Sequence, residues 1–188
     1  DCGTSDLLSR IQALEAKVAQ LEALLAGVTR TGDDITFSGV NVQIVNGTGT
    51  TDGAVNGLGN LIVGYNERRI DAVNDTSGSH NIVVGKLHNY SAFGGLVAGY
   101  RNAISGKYAS VSAGIYNTVS GDYAGISGGH SNRAIGAYTS VSGGADNEAS
   151  SDFASVSGGS SNTADSSFAS VSGGLSNEAR GLYSSVTG

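Results

Sequence analysis

Hydrophobic residues recur along this chain with two different periods. Between Ser5 and Val28 they fall at Leu7, Ile11, Leu14, Val18, Leu21, Leu25 and Val28, in alternating steps of 4 and 3. This is a heptad with Ile11, Val18 and Leu25 at a and Leu7, Leu14, Leu21 and Val28 at d, uninterrupted by Gly until Gly27. The spacing predicts a helix over 5–28, with Ser5 as its N-cap and Asp6 in its first turn. A single helix would leave this seam in water, so the pattern predicts a coiled coil.

The charges beside the seam indicate how many helices meet and in which direction. Arg10 and Lys17 fall at g, while Glu15 and Glu22 fall at e, which gives two g-to-e pairs that bridge neighbouring helices in parallel register. Arg10, Ile11, Leu14 and Glu15 also match the Arg-hydrophobic-x-x-hydrophobic-Glu pattern of short parallel three-stranded coiled coils, and Leu8 at e and Leu24 at g widen the seam. The expected state is a parallel homotrimer held by Leu7, Arg10, Ile11, Leu14, Glu15, Lys17, Val18, Leu21, Glu22, Leu25 and Val28.

The second period is 15 residues. Aromatic residues stand at Phe93, Tyr108, Tyr123, Tyr138, Phe153, Phe168 and Tyr183, and an apolar residue follows three positions after each, from Leu96 and Val111 to Val186. An Asn column runs from Asn102 through Asn117 and Asn132 to Asn177, and a Gly column from Gly99 through Gly129 to Gly174. Constancy of this kind within one chain marks a solenoid. Each coil fits two short strands, roughly 109–113 and 117–119, paired in parallel with their equivalents one coil away. The Gly column is expected to need a positive φ or to leave no room for a side chain, and the Asn column to ladder or to bond adjacent backbone. The Val111, aromatic and Ile104–Val119–Ala134 columns are expected to fill an interior too thin for one chain, which again favours three chains together.

Between the two periods, residues 29–56 are expected to form a β transition in which Val40, Val42 and Ile44 share one face of a strand. From residue 57 an irregular coil begins. The stretch 57–64 aligns with 78–85 at a step of 21, so the excess over 15 forms an outward loop over 67–75; Gly85 to Gly99 is then a step of 14. The solenoid is expected over 57–188, and its departures from the repeat are where a ligand contact would be grafted. The candidate contact residues are Tyr65, Arg68, Arg69, His88, Tyr90 and Tyr100, expected as an exposed group.

The runs Ala109-Ser-Val-Ser-Ala-Gly, Thr139-Ser-Val-Ser-Gly-Gly and Ala169-Ser-Val-Ser-Gly-Gly, with Asn three positions after the last Gly, resemble the head repeats of YadA-type trimeric autotransporter adhesins. The early Ile62-Val-Gly64 and Val83-Val-Gly85 are closer to that repeat. The second apolar position of the family's repeat is here Ala113, Gly128, Gly143, Gly158 or Gly173. The resemblance covers about 57–188 and implies an all-β solenoid, a left-handed parallel β-roll that trimerises. It further implies an adhesive module of a bacterial extracellular fibre at the cell surface or outer membrane, with a host, prey or matrix surface protein or glycan as partner. In the family the coiled coil usually follows the head, whereas here it precedes it. A spacer in a surface or phage-like fibre, with its binding domain elsewhere, is the alternative.

Composition narrows the remaining classes. With 30 Gly and no Pro, Met or Trp, each coil buries little by itself and must rely on its neighbours. A net charge of -6 argues against nucleic acid as partner. No apolar run is long enough to insert in a membrane. The single Cys2 has no internal disulfide partner and is assigned no role. Neither a Met start nor a polar end cap is present, so a longer parent is expected. His80, His88 and His130 are too dispersed for zinc, and Glu67, Asp71 and Asp75 lack a calcium-loop spacing. No Gly-x-Ser-x-Gly elbow occurs, and no paired carboxylates outline a glycosidase groove, so neither an enzyme nor a cofactor is expected. An ice-binding face would want regular Thr, and Thr118, Thr139 and Thr163 are sporadic.

Overall fold

A computed structural model describes residues 2–70 and 74–188; residues 71–73 and the Cys2 side chain lie outside the described part. The chain divides into two units, 1–43 and 44–188.

In the first unit a single helix, α1, spans Cys2–Leu24. It begins before Ser5, so Ser5 is not its N-cap. The Ser5 carbonyl instead accepts from Ser9 Oγ at 2.9 Å within the helix. Leu25 N still donates to Leu21 O, but Gly27 at φ +87° turns the chain, and Val28 opens a strand instead of closing a fourth d position. That strand, β1 (Val28–Thr31), pairs antiparallel with β2 (Asp34–Phe37) across a two-residue Gly32-Asp33 loop. The β element of the transition is therefore this hairpin, and Val40, Val42 and Ile44 lie in irregular chain. Alternation over 40–44 competed with a Gly-Asp turn signal at 32–33, and the turn prevailed because it lets four residues on each side pair locally.

The second unit is a β-solenoid of parallel coils. One nine-stranded sheet runs from β3 (Leu61–Val63) and β4 (Ile82–Lys86) through Leu96–Tyr100, Ser110–Val111 and their equivalents to Ser185–Val186. A seven-stranded sheet runs from Asn89–Tyr90 through Ala103–Ile104 and Thr118–Val119 to Glu178–Ala179. The registers follow the sequence columns: Leu61 pairs with Ile82, Ile82 with Leu96, and Gly125 with both Ser110 and Ser140. A third line of single bridges joins Tyr100, Ile115, His130, Ala145, Ser160 and Leu175 between the sheets.

Three columns fill the interior: Val97–Val111–Ile126–Val141–Val156–Val171, Tyr90–Ile104–Val119–Ala134–Ala149–Ala164–Ala179, and Ala109–Ala124–Ala154–Ala169. All are 0–2% exposed with no neighbouring chain. The interior is thus narrow but closed within one chain, which overturns the expectation that its thinness demands neighbours. The second column narrows from Tyr through Ile and Val to Ala, so less apolar area is buried per coil towards the C-terminus.

The aromatic column is not part of this interior. Phe93 is buried, but Tyr108, Tyr123, Tyr138, Phe153, Phe168 and Tyr183 are 40–69% exposed and stack on the outside. Each sits at a corner with φ between +55° and +60°. Its N–H donates to a carbonyl of the previous coil, as Tyr123 N does to Lys107 O at 2.8 Å. A left-handed residue costs about 1–2 kcal/mol, and an aromatic pair returns about 0.5–1.5 kcal/mol. Stacking thus offsets much of the strain of a corner where Gly would otherwise be favoured.

Candidate functional site

The departures from the repeat lie in the first coils, between Tyr65 and Ile104. The six candidate residues do not form one exposed group. Tyr65 is 94% exposed and Arg68 is exposed, Arg69 and Tyr100 are half-buried, and His88 and Tyr90 are buried.

His88 is interior because it is the first rung of the Asn column. Asn102 donates from Nδ2 to Ala98 O, four residues back, at 2.7 Å, and its Oδ1 accepts Asn117 N at 2.8 Å. His88 repeats both bonds with a ring: Nε2 lies 3.0 Å from Val84 O, four residues back, and Nδ1 accepts Asn102 N at 3.2 Å. These partners require the neutral ring with its proton on Nε2. Burial holds the His88 pKa below the ordinary histidine value; its backbone hydrogen bonds oppose this, and the nearby Arg69 charge adds to it.

Arg69 fastens the insertion to the coils. Its Nε donates to Leu87 O at 2.8 Å, and its Nη2 donates to Arg101 O at 2.7 Å and Asn102 O at 2.9 Å. Asn66 Nδ2 donates to Tyr90 Oη at 2.9 Å, which meets the hydroxyl's need for a partner at the solenoid's largest core side chain. Asp75 closes its own turn by accepting Ser77 N and Oγ, and its carbonyl accepts Tyr90 N. Of the other two acidic residues weighed for calcium, Glu67 is exposed and Asp71 lies outside the described residues. Among those described, no group of three or more His, Cys, Asp or Glu side chains converges on a point.

Tyr100 belongs to a short aromatic run on another corner. It meets Tyr116 edge to face at 6.1 Å, Tyr116 meets His130 at 5.8 Å, and Lys86 and Arg101 lie over the Tyr100 and Tyr116 rings at 5.7 and 5.1 Å. The cations cap exposed π surface here. Near the start of the unit, His80 Nε2 accepts Asn46 N at 3.1 Å beside Thr51 O, on the wall of a cleft of about 310 Å³ lined also by Val45, Gly47, Gly49 and Thr50. The His80 ring ties a Gly- and Thr-rich loop to the first coil.

A feature unforeseen in the sequence is the outer face of the nine-stranded sheet. Leu61, Val63 and Ile82 are 45–55% exposed there, and Val84, Leu96 and Ala98 are half-buried. In the later coils the same columns hold Ser110, Ser140, Ser155, Ser170 and Ser185, and Ser112, Ser127, Ser142, Ser157 and Ser172. An apolar face confined to the first coils thus gives way to a serine face. The alternation that signals it is present in 61–63, 82–84 and 96–98 but is only three residues long in each.

No family model matches this sequence, and no characterised protein is significantly similar to it.

One pH effect follows from His88. Its folded pKa is below its unfolded value of about 6.5, so the unfolded chain binds the extra proton first. The stability contributed by the neutral ring is complete above that value and is lost as pH falls through the folded pKa. Melting temperatures taken from neutral to acid pH are expected to fall more for the native chain than for His88→Asn, which installs the column's own residue. Parallel curves would show that His88 does not titrate against the fold.

Proposed function

We propose that this chain is a segment of a bacterial extracellular fibre in which three parallel copies associate through α1 and the first coils. In this reading the solenoid is a left-handed β-roll at the cell surface and presents a rigid trimeric surface for attachment to a host, prey or matrix protein or glycan. The role is non-enzymatic, and three copies would multiply weak contacts into avidity.

The observation that carries the association is the apolar seam of α1. Leu7, Ile11, Leu14, Val18 and Leu21 are 42–61% exposed in the single chain, at heptad spacing and flanked by the Arg10–Glu15 and Lys17–Glu22 charge pattern. The apolar outer face of Leu61, Val63 and Ile82 is a second surface of the same kind, and it occurs in the coils nearest the helix in sequence. The resemblance of the repeat to YadA-type heads supports the left-handed roll and the surface location. Among the described residues no helix is long and apolar enough to cross a membrane.

Light scattering on the native chain is expected to give three times the chain mass. Ile11→Asn combined with Val18→Asn is expected to give a monomer whose β signal in circular dichroism persists, because the solenoid closes within one chain. A native monomer would overturn the proposal.

The second reading is a spacer without a ligand. It is favoured by the internal bonding of Arg69, His88 and Tyr90, which leaves Tyr65 and Arg68 as the exposed candidates. A screen of glycans and matrix proteins separates the two readings: attachment requires a binder that Tyr65→Ala with Arg68→Ala loses, and its absence leaves the spacer.

A further inference from the structure

The external stack brings three phenols into an arrangement that stacking alone does not require. Tyr108 and Tyr123 have ring centroids 5.2 Å apart at 18°, and Tyr123 and Tyr138 have theirs 5.0 Å apart at 4°. The three rings spring from equivalent corners 15 residues apart, with φ between +55° and +59°, and lie face to face. Each phenol ring is therefore held against the phenol of the next coil. The same stack continues at Tyr138–Phe153 and Phe153–Phe168 with separations of 4.9 and 4.8 Å and angles of 4° and 1°. A phenyl ring thus satisfies the packing, and the three hydroxyls are surplus to it.

These rings are also accessible and held. Tyr108, Tyr123 and Tyr138 are exposed, so a small oxidant reaches their edges. Their main chain is fixed by bonds to the preceding coil: Tyr108 N to Phe93 O, Tyr123 N to Lys107 O and Tyr138 N to Asp122 O, at 2.8–3.0 Å. Two phenols presented in this way meet at a far higher effective concentration than two on separate chains.

We infer that Tyr108, Tyr123 and Tyr138 are a site of oxidative tyrosine–tyrosine coupling that staples adjacent coils. The co-reactant is hydrogen peroxide acting through a peroxidase-type one-electron oxidant. Each of two phenols gives up one electron and one proton and becomes a phenoxyl radical with spin at the carbon beside the oxygen. Two such carbons join in one C–C bond, and the hydrogen on each shifts to its own oxygen and restores both hydroxyls. The peroxide takes up the two electrons and two protons and leaves as two waters. The linked chain is lighter by two hydrogens, and one coil's length of chain is closed into a covalent ring, which limits the unfolded state as a disulfide does.

The chain carries its own controls. Tyr183 stacks on Phe168 and has no stacked phenol neighbour, and Tyr116 meets Tyr100 edge-on at 87°. Tyr123 stands between two phenols and belongs to both pairs. Tyr123→Phe is the substitution the stack already contains at Phe153, so it keeps the fold, which circular dichroism verifies.

The experiment treats the full chain with peroxidase and hydrogen peroxide and then cleaves after Lys107 and Arg133 and before Asp122, which separates the three tyrosines. Mass spectrometry is expected to find Tyr108 linked to Tyr123 and Tyr123 linked to Tyr138, each pair two hydrogens lighter. Tyr123→Phe is expected to lose both pairs and Tyr183→Phe neither, and oxidation is expected to raise the melting temperature of the native chain but not of Tyr123→Phe. The inference is overturned if the links are spread over Tyr65, Tyr116 and Tyr183 as in the urea-unfolded chain. It is equally overturned if links at these three positions vanish on dilution, because they would then join separate chains.

Discussion

Gly129→Ala is expected to destabilise the solenoid by at least about 3 kcal/mol, whereas Gly128→Ala beside it changes stability by no more than about 0.5 kcal/mol. A Cβ on Gly129 would overlap the Gly144 carbonyl oxygen of the next coil and stand 2.6 Å from Asn132 Nδ2, on a backbone at φ +91°. Neither neighbour has room to yield, since Gly144 is pinned between coils and Asn132 is buried and bonded on both sides. A Cβ on Gly128 would meet only the Ala113 Cβ at 3.7 Å, in a column where alanine already occurs. Because each coil touches only its neighbours, a coil forced apart at 129 is expected to split unfolding into two steps. Urea melts followed by circular dichroism read both effects, and equal losses at 128 and 129 would refute the close-approach account.

That column shows what sequence periodicity conveys. An invariant Gly at a fixed step says that no side chain fits, and the steps of 15, 21 and 14 gave the parallel registers, because stacked coils can pair only with their own equivalents. The direction of a side chain was less legible. A two-residue strand has no alternation to separate inside from outside, so periodicity groups the aromatic column with the interior although its residues are left-handed corners that turn outward. The grouping of His88 with the exposed candidate contacts has a related reason. The histidine stands 14 residues before Asn102, in the one shortened coil, and a column defined by Asn at 15-residue steps does not reach it. Arg69 reads from the sequence as an exposed contact, and its clamping role is not legible there, since the carbonyls of Leu87, Arg101 and Asn102 become neighbours only once the coils are stacked. In the helix, the heptad located the apolar seam but not the ends: Ser5 is interior to α1, and the turn at Gly27 removes Val28.

Asn132→Asp is expected to be the costliest near-isosteric change in the solenoid, and its cost is expected to depend on pH. Asn132 is fully buried; its Nδ2 donates to Gly128 O and Gly144 O, both at 3.0 Å, and its Oδ1 accepts Asn147 N at 3.0 Å. A carboxylate keeps the acceptor but points its second oxygen at two carbonyls with no proton to offer. At pH 7 the unpaired buried charge is expected to cost about 3–5 kcal/mol. The fold relieves it by protonation, so the folded pKa of the new carboxyl lies above its unfolded value of about 3.9. In the window between the two values the folded state binds more protons, and the stability of the variant relative to the native chain therefore falls as pH rises and recovers on acidification. Asn132→Leu removes the same bonds without a charge and leaves Asn147 N–H and Gly128 C=O unpartnered, a loss of about 2–4 kcal/mol that does not change with pH. Gly144 O keeps its bond from His130 N at 2.9 Å in both variants, so the contrast isolates the charge. Stability differences from the native chain, measured at neutral and acid pH, are expected to converge for Asp and to stay level for Leu. A level difference for Asp would mean that water reaches the column, and that the Asn ladder is not the dry spine on which the coils are threaded.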